Sequence, residues 1–144
     1  MNPLWFAVPL IVGAMTPVVL QMSAQMADRI GDMESAIILH IVGTVAGLAW
    51  WILGLRGAGV QHVSEVPWWA WLAGVIGVSS LAAVNRALPE TGVGAFVGVS
   101  LAAQLTMALW MDKAGWLGAE IRPIGWTHIL GVGCLILGGV LVTR

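Results

Sequence analysis

The side chains that could do chemistry in this chain are polar residues set within long apolar stretches: Gln21, Gln25, His40, Ser79, Ser80, Ser100 and Gln104. Amides and hydroxyls both donate and accept hydrogen bonds, so they could bind a neutral ligand. The imidazole of His40 could change charge near neutral pH. The sequence has no phosphate-binding glycine loop, metal-ligand cluster or catalytic-triad spacing. It therefore predicts no enzyme, no metal and no cofactor.

Each of these residues also has an ordinary structural interpretation. Gln104 could form a hydrogen bond between two helices instead of contacting a ligand. Gln21 and Gln25, with Asp28, form a stripe that could line a wet vestibule or face a partner helix. His40 could carry a coupled proton or stay neutral and hydrogen-bonded. The sequence leaves these alternatives open.

The composition decides the class of protein. Of 144 residues, 59% are hydrophobic and 9% charged, and the mean hydropathy is +0.93, whereas soluble domains carry about 25% charged residues. A net charge of −1 with six Lys and Arg residues provides no basic patch for nucleic acid. The single cysteine, Cys134, excludes an intrachain disulfide framework. We therefore expect an integral membrane protein.

Charged residues divide the chain into apolar runs that are long enough to cross a bilayer. A helix rises about 1.5 Å per residue and the hydrocarbon core is about 30 Å thick, so about 20 residues span it. The runs predict an all-α membrane protein with a single transmembrane domain, residues 1–144, and helices at about 4–27, 35–55, 67–86, 91–111 and 124–143. The first run lacks a basic n-region, so we expect it to be retained. The connections are too short to form domains, so any site should lie between helices.

Two stripes of small residues predict close contacts between helices: Gly43 with Gly47, and Gly94 with Gly98 and Ala102. Ser100 and Gln104 lie on another face of the fourth helix and share it with Met107. That helix should therefore have one packing face and one face that could line a cavity. At the ends of the third and fourth helices, Asn85, Arg86 and Glu90 are expected to form an interfacial ion pair or helix caps.

The distributions of basic residues and of tryptophans bear on the orientation of the chain in the membrane. With five spans, the six basic residues divide evenly between the two sides: Arg56, Lys113 and Arg122 on the N-terminal side, and Arg29, Arg86 and Arg144 on the other. Such residues normally set orientation. All nine tryptophans fall towards the N-terminal side, although belts usually line both interfaces. Either chance and one-sided anchoring explain this, or the chain inserts both ways and pairs with itself.

The order of several short motifs resembles a known family over nearly the whole chain. They are Gly13, Gln21-x-x-x-Gln25, His40-Ile-Val-Gly43, Pro67-Trp68-Trp69-x-Trp71-Leu72-x-Gly74, Gln104, Asp112-Lys-Ala-Gly115, and the glycines around Gly131 and Gly138. The pattern is similar to the short, five-helix, dual-topology branch of the drug/metabolite transporter superfamily, a group of inner-membrane exporters. The small multidrug resistance family is a distant relative of that branch.

This resemblance implies an antiparallel homodimer, or a pair with an oppositely inserted paralogue, whose ten helices form inverted repeats in the inner membrane. It implies a secondary-active exporter with alternating access at the dimer midplane. Residues 1–27 contain no acid, unlike the first helix of the small multidrug resistance proteins, which argues against cation export through such a carboxylate. The expected partners are a second copy, membrane lipids and a small-molecule cargo, not nucleic acid.

The near absence of charge within the spans bears on the cargo. A buried multicharged cargo would need compensating charges there, so the cargo should be neutral, amphipathic or lipid-like. The alternative function is a non-transporting accessory or structural membrane subunit, in which the buried polar residues only hold helices together.

Overall fold

The computed structural model describes residues 7–55 and 60–142, and within these ranges the secondary structure is helical with no strands. The five α-helices are α1 (Ala7–Ile30), α2 (Asp32–Ile52), α3 (Leu72–Thr91), α4 (Val93–Ala114) and α5 (Trp126–Val142), with short 3₁₀ segments at Val60–Glu65, Trp68–Trp71 and Trp116–Gly118. The predicted helix limits at residues 4 and 143, together with Trp5, Arg56 and Arg144, lie outside the described residues. The prediction of an all-α membrane protein is confirmed.

Four described helical segments are long and apolar enough to cross a membrane: Ala7–Ile30, Asp32–Ile52, Trp68–Thr91 and Val93–Ala114. Helix α5 is apolar and has 17 residues, at the short end of the range of about 17–25 for a span. Large apolar side chains such as Leu10, Val75 and Leu137 are exposed. Such a surface fits lipid as the surrounding solvent, because acyl chains are as apolar as leucine.

The turn between α1 and α2 is tighter than the charge pattern predicts. Helix α1 continues to Ile30 and α2 starts at Asp32, so Gly31 alone separates them. Gly31 has a φ of 104°, and a Cβ there would collide with the carboxylate of Glu34. Asp32 and Glu34 lie in the first turn of α2, where negative charge is favoured by the helix dipole. Charged residues here mark helix ends and not a loop.

The four residues between the predicted third and fourth helices, 87–90, are helical and belong to α3. Helix α3 continues to Thr91 with Pro89 in its last turn, and Leu88 is buried beside it. A proline so close to the helix end removes one backbone hydrogen bond without ending the helix earlier. Gly92, with a φ of 74°, separates α3 from α4.

The chain divides into two compact units, one up to Glu90 and one from Thr91 onwards. In the first, the buried apolar residues are mostly alanines near the α1–α2 turn and the end of α3: Ala24, Ala27, Ala36, Ala82 and Leu88. Such small side chains allow helix backbones to approach closely in a membrane.

In the second unit, α4 and α5 pack against each other. Hydrogen bonds join the segment between them to the last turn of α4. The backbone N–H of Arg122 donates to the carbonyl of Asp112 at 3.0 Å. The Arg122 guanidinium donates to the carboxylate of Glu120 at 2.9 Å. That hydrogen bond, the charge of Glu120 and the charge of Asp112 raise the pKa of Arg122. This exposed pair contributes little to stability.

Candidate functional site

Three buried polar side chains join the helices of the first unit: Ser23 of α1, Ser35 of α2 and Asn85 of α3, each at most 1% exposed. The Ser23 hydroxyl donates to Asn85 Oδ1 at 2.7 Å. The Ser35 hydroxyl donates to the carbonyl of Ser23 at 2.9 Å. Asn85 Nδ2 donates to the carbonyl of Asp32 at 3.0 Å. We call these three residues the polar clasp, since their hydrogen bonds connect all three helices.

An ion pair lies beside the polar clasp. Arg86 Nη1 is 3.9 Å from Asp32 Oδ2, and both side chains are at least partly exposed, so the pair adds little to stability. Arg86 thus forms an ion pair, as expected, but it lies inside α3, which continues to Thr91, and its partner Asp32 is in the first turn of α2. Asn85 is a buried hydrogen-bonding residue and not a cap. The burial of Asn85 follows from its position one turn after Ala82, which is also buried.

The geometry of His40 defines its tautomer. Its Nδ1 lies 2.7 Å from the carbonyl oxygen of Ala36, and a carbonyl can only accept, so Nδ1 carries the proton and donates. In the neutral ring, Nε2 then has a free lone pair. Nε2 faces α3, because a Cβ placed on Gly77 would lie 3.4 Å from it. His40 can therefore present a hydrogen-bond acceptor between α2 and α3.

The other polar residues predicted from the sequence lie on the outside of their units. The exposed ones are Gln21, Gln25, Ser79, Ser80 and Gln104, and Ser100 is half-buried. None of these side chains has a hydrogen-bond partner among the described residues. Polar groups at span depth are costly against hydrocarbon, so these surfaces should meet water, another chain or a ligand.

Of the two small-residue stripes predicted from the sequence, the one in α4 lies at a close helix contact and the one in α2 does not. A Cβ on Gly98 would lie 3.4 Å from Gly139 Cα, and one on Gly94 would lie 3.5 Å from Val142 Cγ1. Ala102 is buried on the same side of α4. The second stripe thus lies at the α4–α5 contact. A Cβ on Gly43 or Gly47 would meet nothing within 4 Å, so that stripe contacts no other described part of the chain closely.

A groove of about 880 Å³ runs along α4 and α5 within the second unit. We call it the α4–α5 groove; it is lined by Gly98, Val99, Ala102, Ala103, Thr106, Met107, Trp110, Trp116, Ile136, Gly139 and Val140. Ala102 and Gly139 are buried in its floor, whereas Ala103 and Ile136 are exposed in its walls. None of the described residues that line it is charged. The Thr106 hydroxyl already donates to the carbonyl of Ala102 at 2.8 Å, so this surface is almost wholly apolar.

Two tryptophans stand at one end of the groove. The rings of Trp110 and Trp116 are edge to face, with centroids 5.1 Å apart and an angle of 65° between planes. Gly115, with a φ of 63°, ends α4 and lets the chain turn so that Trp116 reaches Trp110. Sequence reasoning placed both residues near an interface but did not predict the groove, whose second wall comes from α5.

Comparison with known proteins places the chain in a family. Residues 4–142 match the family described as "Putative inner membrane exporter, YdcZ". The chain belongs to this family. It is also 28% identical over 123 residues, 81% of each chain, to the inner membrane protein YdcZ of Escherichia coli (strain K12). No solved structure gives a significant match.

Membership of this family confirms the resemblance seen in the sequence, to exporters of the drug/metabolite transporter type. Together with the four apolar helices, it identifies a multi-pass inner-membrane protein. The family's description agrees with the predicted class of transporter.

Proposed function

We propose that this protein is a secondary-active exporter of small neutral, amphipathic or lipid-like molecules, which works as an antiparallel homodimer. The observation that carries the proposal is the exposure of hydrogen-bonding side chains at span depth, with Gln104 in α4 as the clearest case. A primary amide that faces hydrocarbon leaves its hydrogen-bonding groups unsatisfied, which costs about 1–3 kcal/mol. A second copy that covers this face, or a wet cargo path between two copies, removes that cost.

The balance of charges and the one-sided tryptophans support an antiparallel pair. An inverted second copy needs no single orientation bias, which fits an even division of the six basic residues. It also supplies the opposite interface with a tryptophan belt that one copy lacks. Inverted repeats of this kind bind substrate near the bilayer midplane, at the interface between the repeats.

The chemistry of the polar residues supports an uncharged cargo. Residues 35–55, 66–85 and 91–111 contain no Asp, Glu, Lys or Arg, so a charged cargo at the midplane would lack a counter-charge. The Gln104 amide can donate and accept, and His40 Nε2 can accept. Each group on its own can form a hydrogen bond with a neutral amphipath, while the rocking of the two copies exposes the cargo to each side in turn.

Replacing Gln104 by alanine tests the cargo path. We expect cells that express the Gln104→Ala variant to lose about tenfold in the rate of protein-dependent efflux, which corresponds to one hydrogen bond of about 1.4 kcal/mol. The measurement is fluorescence-detected efflux of 1-N-phenylnaphthylamine, a neutral amphipath. Thr16→Val is the matched control: Thr16 is an exposed polar residue, but its hydroxyl is already bonded to the carbonyl of Val12 at 2.9 Å.

The same experiment separates the exporter from the accessory subunit. If efflux by the Gln104→Ala variant equals that of the wild type while the dimer dissociates more readily in detergent, Gln104 only joins helices. If the wild type itself gives no efflux above cells without the protein, with this dye or with decanol, the proposed cargo class is wrong. Both results are read at matched protein levels in the membrane.

A further inference from the structure

The side chain of His128 accepts a hydrogen bond from the backbone just before α5. Helix α5 begins at Trp126, so Gly125 is at its N-cap position and His128 is the third residue of the helix. The backbone N–H of Gly125 donates to His128 Nδ1 at 3.0 Å. The backbone N–H of His128 donates to the carbonyl of Gly125 at 3.1 Å. These two residues form a reciprocal cap similar to a capping box, and we call the pair the His128 cap.

The donor in this bond determines the protonation state of the His128 ring. A backbone N–H can only donate, so Nδ1 has a lone pair and the proton of the neutral ring is on Nε2. An imidazolium ring donates from both nitrogens and accepts at neither, so it cannot form this bond. Its positive charge would also lie at a helix N-terminus, where the helix dipole disfavours it. The His128 cap therefore requires a neutral ring.

The other two histidines have the opposite arrangement. Nδ1 of His40 lies against the carbonyl of Ala36, and Nδ1 of His62 lies against the carboxylate of Glu65. Both partners can only accept, so Nδ1 donates in each case and a second proton on Nε2 leaves the bond intact. Of the three histidines in the chain, His128 is thus the one whose described side-chain hydrogen bond is incompatible with a charged ring.

The described charged groups at this end of the second unit are balanced. They are two acids and two bases: Asp112 and Lys113 at the end of α4, and Glu120 and Arg122 in the segment between α4 and α5. Counting equally along these antiparallel helices from the contact of Gly98 with Gly139 places Asp112 at the level of Gly125. The carboxylate of Glu120 is bonded to Arg122, and the charge of Asp112 also acts on Arg122. These groups provide no surplus negative charge to compensate a charged His128.

Loss of the His128 cap would act on the first turn of α5. His128 and Gly125 are both exposed, and Trp126 between them is of the type that lies at the membrane–water interface, so protons can reach the ring. Gly139, which contacts α4, is 11 residues beyond His128, or about 16 Å along the helix. Fraying of the first turn therefore leaves the contact between α4 and α5 in place.

We propose that the His128 cap is a pH-sensitive switch, which holds the first turn of α5 while His128 is neutral and releases it when the ring gains a proton. The cap is present at higher pH and is lost as the pH falls, because only the neutral ring accepts. This switch goes beyond the proposed export function, since one copy is enough to form it. In an antiparallel pair, which rests on the proposed function, the two caps lie on opposite sides of the membrane. A pH difference across the membrane would then act on one copy at a time.

Amide hydrogen exchange of the purified full-length protein in phospholipid nanodiscs tests the switch. Mass spectrometry with electron-transfer fragmentation reads the Gly125 amide, whose protection is normalised to its intrinsic exchange rate at each pH. We expect this protection to fall about fivefold between about pH 7.5 and about pH 5.5.

Three variants separate the ring proton from other effects of acid. His128→Gln has an amide oxygen that accepts but gains no proton, so the protection should persist at both pH values. His128→Ala removes the acceptor and should lose the protection at both. His62→Gln is the matched control, because His62 is exposed and lies outside α5, and it should show the same fall as the wild type.

NMR of the protein with ¹⁵N-labelled histidine gives an independent measurement. At about pH 7.5 the neutral ring of His128 should carry its proton on Nε2, and that of His40 on Nδ1. A His128 ring that is protonated on Nδ1 would overturn the proposal. So would a protection of the Gly125 amide that is equal at both pH values, or one that falls equally in His128→Gln. None of these measurements requires transport or a second copy, so the switch and the export function can fail separately.

Discussion

The Asn85→Ala variant is expected to unfold more easily than the wild type by about 2 to 3 kcal/mol. Asn85 accepts from the Ser23 hydroxyl and donates to the carbonyl of Asp32, and it is 1% exposed. Its loss leaves the buried Ser23 hydroxyl without this acceptor and the partly buried Asp32 carbonyl without this donor, at about 1–3 kcal/mol for each unsatisfied group. The estimate is at the lower end because hydrogen bonds between membrane helices contribute about 0.6–1.7 kcal/mol.

Reversible unfolding of the purified protein in mixed micelles of dodecylmaltoside and SDS measures this effect. Ser64→Ala serves as the control, since Ser64 is exposed in the 3₁₀ segment before α3 and outside the polar clasp. Asn85→Asp keeps the shape and the acceptor but places a negative charge in a buried site, so it should destabilise at least as much as alanine. An Asn85→Ala variant that unfolds at the wild-type SDS fraction would show that the polar clasp does not hold the helices together.

The second large effect is expected for Gly139→Leu. A Cβ on Gly139 would lie 3.4 Å from the carbonyl carbon and oxygen of Gly98. Because these neighbours are backbone atoms, a leucine can be accommodated only if α4 and α5 move apart. Overpacking of this kind costs about 1–3 kcal/mol, and here the loss of close backbone packing adds to it. We expect about 3 kcal/mol of destabilisation in the same unfolding assay.

The adjacent residue provides the control. Gly138 has nothing within 4 Å of a Cβ position and is exposed, so Gly138→Leu adds the same side chain to the same helix on a lipid-facing side. It should unfold within about 0.5 kcal/mol of the wild type, as exposed substitutions usually do. If the two leucine variants unfold alike, the contact between α4 and α5 is not where the structure places it.

The class of protein and the helices could be predicted from the sequence because bilayer thickness imposes a length on apolar runs. The ends of the helices could not be predicted in this way. Cutting the chain at charged residues assumes that charge lies in loops, yet Asp32 and Glu34 lie in the first turn of α2 and Arg29 in the last turn of α1. The positive φ of Gly31 makes a turn there with almost no loop.

The candidate site was only partly predictable. Gln104 is conspicuous in sequence as an amide in an apolar run, whereas Ser23 and Ser35 are small hydroxyls near span ends whose importance depends on meeting Asn85. That meeting is a tertiary contact between residues 62 positions apart, and no local periodicity encodes it. The same limit applies to α5. The sequence singles out the glycines around Gly138, but only the packing against Gly98 shows that Gly139 is the glycine in contact.

We propose that the chain inserts in both orientations and pairs with itself, and the membrane topology of the chain decides whether it does. A phosphatase active only in the periplasm and a fluorescent protein active only in the cytoplasm are fused, separately, to the C-terminal residue, and each chain is expressed alone. Insertion in both orientations should give strong signal from both fusions, since half of the molecules would face each way. Signal from only one fusion would contradict the antiparallel homodimer.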